Sequence, residues 1–350
     1  MYRAHLERLL PVCPVCRLAR GVESILTLGQ IAREQDGEIL EGTLICSNPA
    51  CQREHPILDG IPIVLADAPS WFQNQILGIL RRDDLTPFTE SLLGDLGGQG
   101  SSLDRDRGNN SVYADAHWAQ GRSCYLDLFE AVMPLLMHRP QGVWLDIGCS
   151  LGRGTVELAR TTGELAVGLD LNFSMLRVAQ RIRRERRVRY SKRRVGLVFD
   201  PVDYEVPDLP AEQVSFWCAD VAMIPFADGV FAGSLAMNML DCAQSPLGLL
   251  FEMGRVTAPG SESILCTPFD WAVGASAPAD WIGGHSQRLT PSAGSSVAEL
   301  RRILSEDRAA GVDTGLHIEA ELDRVPWRLR LHERSVTEYE VYCARLRRKS

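Results

Sequence analysis

From residue 113 onward, short apolar runs alternate with segments whose apolar positions recur every three to four residues. The runs are GVWLDIG (142–148), LAVGLDL (165–171), QVSFWCAD (213–220), VFAGSLAMN (230–238) and SESILCTPF (261–269). None alternates strictly between apolar and polar, the pattern of strands buried on both faces of a parallel sheet. The intervening segments RGTVELART (153–161), SMLRVAQRIRRE (174–185) and SPLGLLFEMGRVT (245–257) read as helices, the second with Met175, Ala179 and Ile182 on one face. Strand and helix in alternation predict a doubly wound α/β domain. The chain closes on VPWRLRLHERSVTEYEVYCARLRR (325–348), two β-rich runs with no helix between them, which predicts an antiparallel hairpin at the sheet edge.

Two regions precede this domain. Residues 1–66 carry paired cysteines and end in HPILDGIPIVL (55–65), a short strand and turn broken by Asp59, Gly60 and Pro62. Residues 67–112 are polar and glycine-rich, culminating in GDLGGQGSSLDRDRGNN (94–110), the composition of a partly flexible linker or lid. The expected organisation is therefore 1–66, 67–112 and 113–350, with no internal repeat.

The first strand runs into a glycine turn, WLDIGCSLGRG (144–154). Asp146 sits at the strand end, and Gly148, Gly152 and Gly154 lead into the next helix. In open α/β sheets ligands bind outside the carboxyl ends of the strands, where glycines admit close backbone approach. Asp170, 24 residues beyond Asp146, ends the second strand, where a carboxylate can accept from both hydroxyls of a ribose. Asp220 ends the third, within reach of an adenine amino group, with Val221 and Met223 placed to sandwich the base. A glycine-rich turn that holds no ligand is the alternative.

Asp-x-Gly-x-x-x-Gly, a strand-end Asp, then Asp with an apolar neighbour and a Pro-Phe turn, together with the closing hairpin, resemble the class I S-adenosylmethionine-dependent methyltransferases over residues 113–350. The resemblance implies a Rossmann-like, mostly parallel seven-stranded sheet. It also implies that Gly148, Gly152 and the backbone of Cys149 line the methionine part of S-adenosylmethionine, while Asp146 orients the turn or meets the amino group. Asp170 and Leu171 would serve the ribose, and Asp220 and Val221 the adenine. Many members of that family have glycine where this chain has Ser150, and a negative φ is expected there.

The fourth strand ends in AMNMLDCAQSP (236–246), making Asn238 and Asp241 candidates beside the transferred methyl group. Asn238 as a turn cap is the equal alternative. Displacement at a sulfonium methyl needs alignment and desolvation more than a base, so no catalytic base is obligatory. An enclosed small-molecule acceptor is expected from Tyr113, His117 and Trp118 (113–120), and from Asp270, Trp271, Trp281 and His285 in the long insert TPFDWAVGASAPADWIGGHSQR (267–288), with His285 also a catalytic candidate and a structural hydrogen-bonding histidine the alternative.

The chain has 350 residues, 45% of them hydrophobic and 23% charged, and no apolar run approaches a membrane span. Its first residues lack the apolar core of a signal peptide, so a cytoplasmic location is expected. Net charge is −8, which argues against general nucleic-acid binding. Charge is nevertheless uneven: residues 177–194 hold ten Lys or Arg against one Glu. An RNA acceptor engaged by that segment is the second reading, although Tyr190 is its only aromatic. Other readings are a protein acceptor, or a regulatory protein that binds the cofactor without transferring its methyl group. The oligomeric state is not legible.

Cysteines fall in two classes. CPVC (13–16) and CSNPAC (46–51), separated by 29 residues, predict a structural zinc site of Cys13, Cys16, Cys46 and Cys51, with Pro14 and Pro49 in tight turns. No βαβ pattern follows CPVC, which disfavours a redox pair, and His55 is expected to stay outside the ligand set. With the DGIP segment that follows, this region resembles the small zinc-ribbon proteins that activate RNA and protein methyltransferases. The six other cysteines stand singly in apolar contexts and read as small buried hydrophobes.

Overall fold

The computed structural model describes residues 1–82, 84–306 and 312–350. In chain order its elements are α1 (Arg3–Leu9), α2 (Pro14–Arg20), β1 (Leu26–Gln35), β2 (Glu38–Cys46), β3 (Glu54–Leu58), β4 (Ile61–Pro62), α3 (Ala68–Leu80), α4 (Pro87–Gly97), α5 (Ser102–Trp118) and α6 (Cys124–Val132). There follow β5 (Trp144–Ile147), α7 (Arg153–Thr162), β6 (Ala166–Asp170), α8 (Phe173–Glu185), β7 (Arg187–Val195), β8 (Val198–Glu205), β9 (Val214–Cys218), β10 (Gly233–Met237), α9 (Pro246–Val256), β11 (Glu262–Thr267), α10 (Ser296–Ile303), β12 (Leu316–His332) and β13 (Ser335–Arg348).

The five apolar runs form the parallel core of a seven-stranded sheet, in the order β12-β13-β11-β10-β5-β6-β9. The closing hairpin adds β13 antiparallel to β11, with β12 at the edge. Burial on both faces explains the unbroken apolar runs. Along β9, Trp217 packs into one core with α9 and α10, while Phe216 and Cys218 pack into the other with α6, α7 and α8.

Residues 1–66 form a four-stranded antiparallel sheet, β1-β2-β3-β4, with α1 and α2. This small sheet is tied to the edge of the large one. Ile63 bridges in parallel to Cys218 at the end of β9, and the Val64 N–H donates to the Cys218 carbonyl at 2.9 Å. On the far side of the following loop, Pro11 bridges Phe226 and the Val12 N–H donates to the Pro225 carbonyl at 3.0 Å.

Two readings are corrected, the irregular linker and the structure of the basic segment, whose carboxyl half is expected to be loop. Residues 94–112 are mostly helical, in α4 and α5. The helix α5 escapes pattern reading because it buries Gly108, Ser111 and Ala114 rather than an apolar stripe. Its start is held by the Ser101 cap, by Asp104 accepting from the Gly100 N–H, and by an ion pair of Asp104 with Arg193. The Ser111 hydroxyl accepts the Arg193 N–H at 2.6 Å, so charge and hydrogen bonding do the work that apolar packing does elsewhere.

The second correction concerns the basic segment. Only its first part is helix; residues 187–195 form β7, paired with the acidic β8. Arg187 meets Asp203, Arg194 meets Asp200, Lys192 meets Asp115 at 2.6 Å, and Arg183 and Arg184 share Glu38 of the small sheet. These cations are spent on internal partners, so the geometry lends no support to an RNA track.

Candidate cofactor and acceptor site

The carboxyl ends of β10, β5, β6 and β9 lie side by side and carry Asn238, the glycine turn, Asp170 and Asp220 in that order. Strand order thus gathers residues more than 90 positions apart along one edge, the place where open α/β sheets hold ligands.

Within the turn, the N–H groups of Gly148 and Cys149 both donate to the Leu169 carbonyl at 2.8 Å, which curls the chain tightly over β6. Gly148 has φ +75° and lies against Met239; a β-carbon there would collide with that side chain. Gly152, at φ +76°, opens α7, and a β-carbon would run into Phe216 and Ala179. Ser150 corrects an expectation: its φ is +49°, in the left-handed region. Its N–H donates to Asp170 Oδ2 at 2.8 Å and its hydroxyl lies 3.3 Å from Met175 Sδ, contacts that hold the unfavourable conformation in place.

Asp146 is 1% exposed. Its Oδ2 accepts from the Thr155 hydroxyl at 2.8 Å, and its Oδ1 is buried without a partner. Burial pushes this carboxyl up to about 7, against the Thr155 hydrogen bond and with help from Asp170. Asn238 is the second orphan. It occupies the left-handed region at φ +53°, its N–H donates to the Cys266 carbonyl, and both polar atoms of its amide are buried and unpaired. An unpaired buried polar group costs about 1–3 kcal/mol, a cost that a ligand with matching donors and acceptors removes. The donor set therefore fits S-adenosylmethionine: an acceptor atom at Asp146 Oδ1, an amide at Asn238 and a tight glycine turn close together.

Asp170, half-buried, accepts from the N–H groups of Ser150 and Asn172, each at 2.8 Å on a different oxygen, which leaves each oxygen one further lone pair. Burial raises its pKa against these hydrogen bonds. Leu171 follows, its carbonyl accepting from the Trp71 indole at 3.1 Å. Asp220 accepts from the Ala222 N–H at 2.9 Å in a turn that presents Val221, which is buried.

On the acceptor side, Tyr113 of α5 is half-buried, and its hydroxyl is raised by burial, then by Cys242, Asp170 and Asp241. Asp241, 3% exposed, accepts from the Thr267 hydroxyl and the Asp270 N–H, both at 3.0 Å, tying the ends of β10 and β11 together. Asp270 is exposed and accepts from the Tyr339 hydroxyl at 3.0 Å. Burial and Asp270 push Tyr339 up to about 12, with contributions from Tyr113 and Asp241. Hydrogen bonds thus join Asp241, Asp270 and Tyr339 beyond the ends of β10 and β11, within electrostatic reach of Tyr113.

Other expected acceptor contacts lie elsewhere. Trp118 is 2% exposed, its indole donating to the Leu151 carbonyl at 2.8 Å and its ring covered by Arg153, so it props the turn from behind. His117 is buried against Tyr125 and lowered to about 3 by burial and by Arg153. Trp271 stacks on Trp281 and donates to Ser296 Oγ at 3.0 Å. His285 spends its ring nitrogens on Ser286 Oγ and the Trp281 carbonyl. The aromatic pair and His285 form the internal packing of the insert.

Sequence reading missed Tyr339, Tyr125, Trp71, Thr155 and Met239. Only Thr155 had a local signal, a hydroxyl one turn into the helix that the glycine turn opens.

In the small sheet, Cys13, Cys16, Cys46 and Cys51 place their sulfurs within 4.8 Å of one another. Cys16 and Cys46 are 3.6 Å apart and Cys13 and Cys51 4.0 Å. Tetrahedral zinc with bonds of about 2.3 Å needs sulfurs about 3.8 Å apart, so the cluster has the dimensions of a metal site. His55 Nε2 stands 4.0 Å from the Cys13 sulfur, outside the four.

Residues 145–265 match a family model described as "Methyltransferase domain". The chain is similar to the O-methyltransferase cnsE of Penicillium expansum, 26% identical over 121 residues that cover 35% of this chain and 36% of that protein. It is also similar to the methyltransferase phqN of Penicillium fellutanum, 28% identical over 131 residues, 36% of this chain and 33% of that one. The chain spans about a third of the length of these curated relatives. Among solved structures, phosphoethanolamine N-methyltransferase 2 of Haemonchus contortus in complex with S-adenosyl-L-methionine aligns with a TM-score of 0.36 and 20% identity, over 56% of this chain and 38% of that one.

Proposed function

We propose that this protein is an S-adenosylmethionine-dependent methyltransferase acting on a small molecule. The observation that carries the reading is the pair of orphaned polar groups, Asp146 Oδ1 and the Asn238 amide, flanking the glycine turn at the carboxyl ends of β5 and β10. The match of residues 145–265 to a methyltransferase domain supports it. Asp146 meets the cofactor's amino group, Gly148 to Gly152 and the backbone of Cys149 line its methionine part, Asp170 and Leu171 serve the ribose, and Asp220 and Val221 the adenine. When bound, the cofactor supplies a methyl group activated by a sulfonium.

The chain's own contribution is alignment and exclusion of water. Asn238 and Tyr113 orient the acceptor, and the Tyr339–Asp270 pair accepts a hydrogen bond from it or takes its proton. Asp241 positions Asp270. Trp118 and Trp271 support the walls without touching the acceptor. The four cysteines hold a structural zinc ion. An RNA acceptor draws no support from the paired arginines of β7.

Incubation with methyl-labelled cofactor, followed by separation of metabolite, RNA and protein fractions of a cell extract, tests the acceptor class. Label in the metabolite fraction is expected. Label confined to RNA or protein contradicts the small-molecule assignment.

A further inference from the structure

A cavity of about 480 Å³ lies between α8 and the β7–β8 hairpin on one side and α3, α4 and α5 on the other, bordering the glycine turn at Leu151. Six guanidinium groups line it: Arg81 and Arg82 following α3, Arg107 on α5, Arg177 and Arg181 one helical turn apart on α8, and Arg189 on β7. Three carboxylates, Asp84, Glu90 and Asp203, share the wall. A solvated basic face spreads its charges outward, whereas these converge from four separate segments on one void.

The acids that hold several of these arginines sit behind them. Arg177 pairs with Asp59 at 3.1 Å, Arg81 with Asp106 at 3.4 Å and Arg189 with Glu185 at 3.1 Å, and none of those three acids lines the cavity. They orient these three from behind, while Arg82 with Asp84 at 2.7 Å and Arg189 with Asp203 at 3.4 Å pair on the wall itself, so the described lining carries twice as many guanidinium groups as carboxylates. Arg107 is less well compensated. It is 6% exposed, its ion pair with Glu90 is 4.0 Å long, and its Nε–H is buried with no partner. It also donates to the Glu90 carbonyl at 3.2 Å and lies over the face of Phe199 at 4.1 Å, with the Asp104 carboxylate, itself paired with Arg193, nearby. Burial of a cation so loosely paired is unfavourable unless an anion completes its environment.

We propose that this cavity binds a small molecule through a compact oxyanion, a phosphate or carboxylate, with Arg107 as its principal anchor and Leu85, Leu151 and Val202 under its apolar part. Guanidinium forks match such groups by paired hydrogen bonds. The volume is that of an ordinary small-molecule site. Leu151 belongs to the glycine turn, so the two sites share a wall, but anion binding here does not depend on methyl transfer.

Calorimetric titration of the full chain at low salt with inorganic pyrophosphate, and separately with benzoate, tests this and tells phosphate from carboxylate. Saturable one-to-one binding of at least one probe is expected, weakened at least tenfold in Arg107→Gln and in Arg181→Gln. Arg301→Gln on α10, outside the cavity, should bind as the parent does. The half-buried Arg181 keeps the test informative if Arg107→Gln fails to fold. Absence of saturable binding by both probes, or binding that neither cavity variant weakens, overturns the proposal. Failure to bind S-adenosylmethionine in the same instrument would count against the methyltransferase reading alone.

Discussion

The Ser150 backbone N–H donates to the Asp170 carboxylate at 2.8 Å, joining the glycine turn after β5 to the end of β6 in one rigid unit. The carboxylate expected to serve the ribose also fixes the turn expected to serve the methionine. Removing it should damage both halves of the site. Asp170→Ala is expected to weaken cofactor binding about 10- to 100-fold, the scale of one hydrogen bond to a charged group. Asp170→Asn, which keeps one acceptor oxygen, should lose less. Titration calorimetry with S-adenosylhomocysteine reads both.

Asp146 makes stability and cofactor binding depend on pH. Its folded pKa of about 7 lies above the ordinary value of about 3.9. Between those values the folded chain therefore binds more protons than the unfolded chain, and stability falls as pH rises from about 4 through about 7. Urea unfolding of the ligand-free protein should show this fall, and Asp146→Asn should flatten it. An ammonium partner favours the ionised carboxylate. Cofactor binding at pH 6 should therefore release up to about one proton, measured as a dependence of the binding heat on buffer ionisation enthalpy.

Asp241 and Asp220 should separate stability from binding. Asp241→Ala strands the buried Thr267 hydroxyl and removes the partner of the Asp270 N–H, and a loss of about 1–3 kcal/mol is expected in denaturant unfolding. Asp220→Ala, at a half-buried turn, should cost under about 1 kcal/mol yet weaken cofactor binding.

The four-cysteine module grips both ends of the loop that carries Asp220 and Val221, through Val64 to Cys218 and through Val12, next to Cys13, to Pro225. One zinc ion per chain is expected by atomic absorption. Chelation, or Cys46→Ser, should lower the melting temperature and also weaken S-adenosylhomocysteine binding. A chelated protein that melts lower but binds equally well would separate the two.

Legibility in the sequence followed the physics of each element. The five parallel strands were readable because burial on both faces forces continuous apolar runs, and the placing of Asp146, Asp170 and Asp220 at the strand ends was readable because each lies at or just past the end of such a run. The helix α5 was not, since Ser111, Asp104 and Arg193 hold it by polar contacts that leave no periodic signature. Nor was β7, whose charged residues are matched across the ladder by β8. Tyr339 meets Asp270 only because the hairpin folds back on β11, a contact 69 residues apart with no local signal. Trp118 was singled out as an acceptor contact, but its direction, toward the Leu151 carbonyl, depends on packing that one-dimensional pattern does not encode.

The central claim, that this strand-end site holds S-adenosylmethionine, is tested most directly by titrating the zinc-loaded full chain with that cofactor in a calorimeter. The account predicts saturable binding at one site per chain, abolished or greatly weakened in Asp170→Ala. No binding by a protein shown by circular dichroism to be folded, or equal binding by parent and variant, would contradict it.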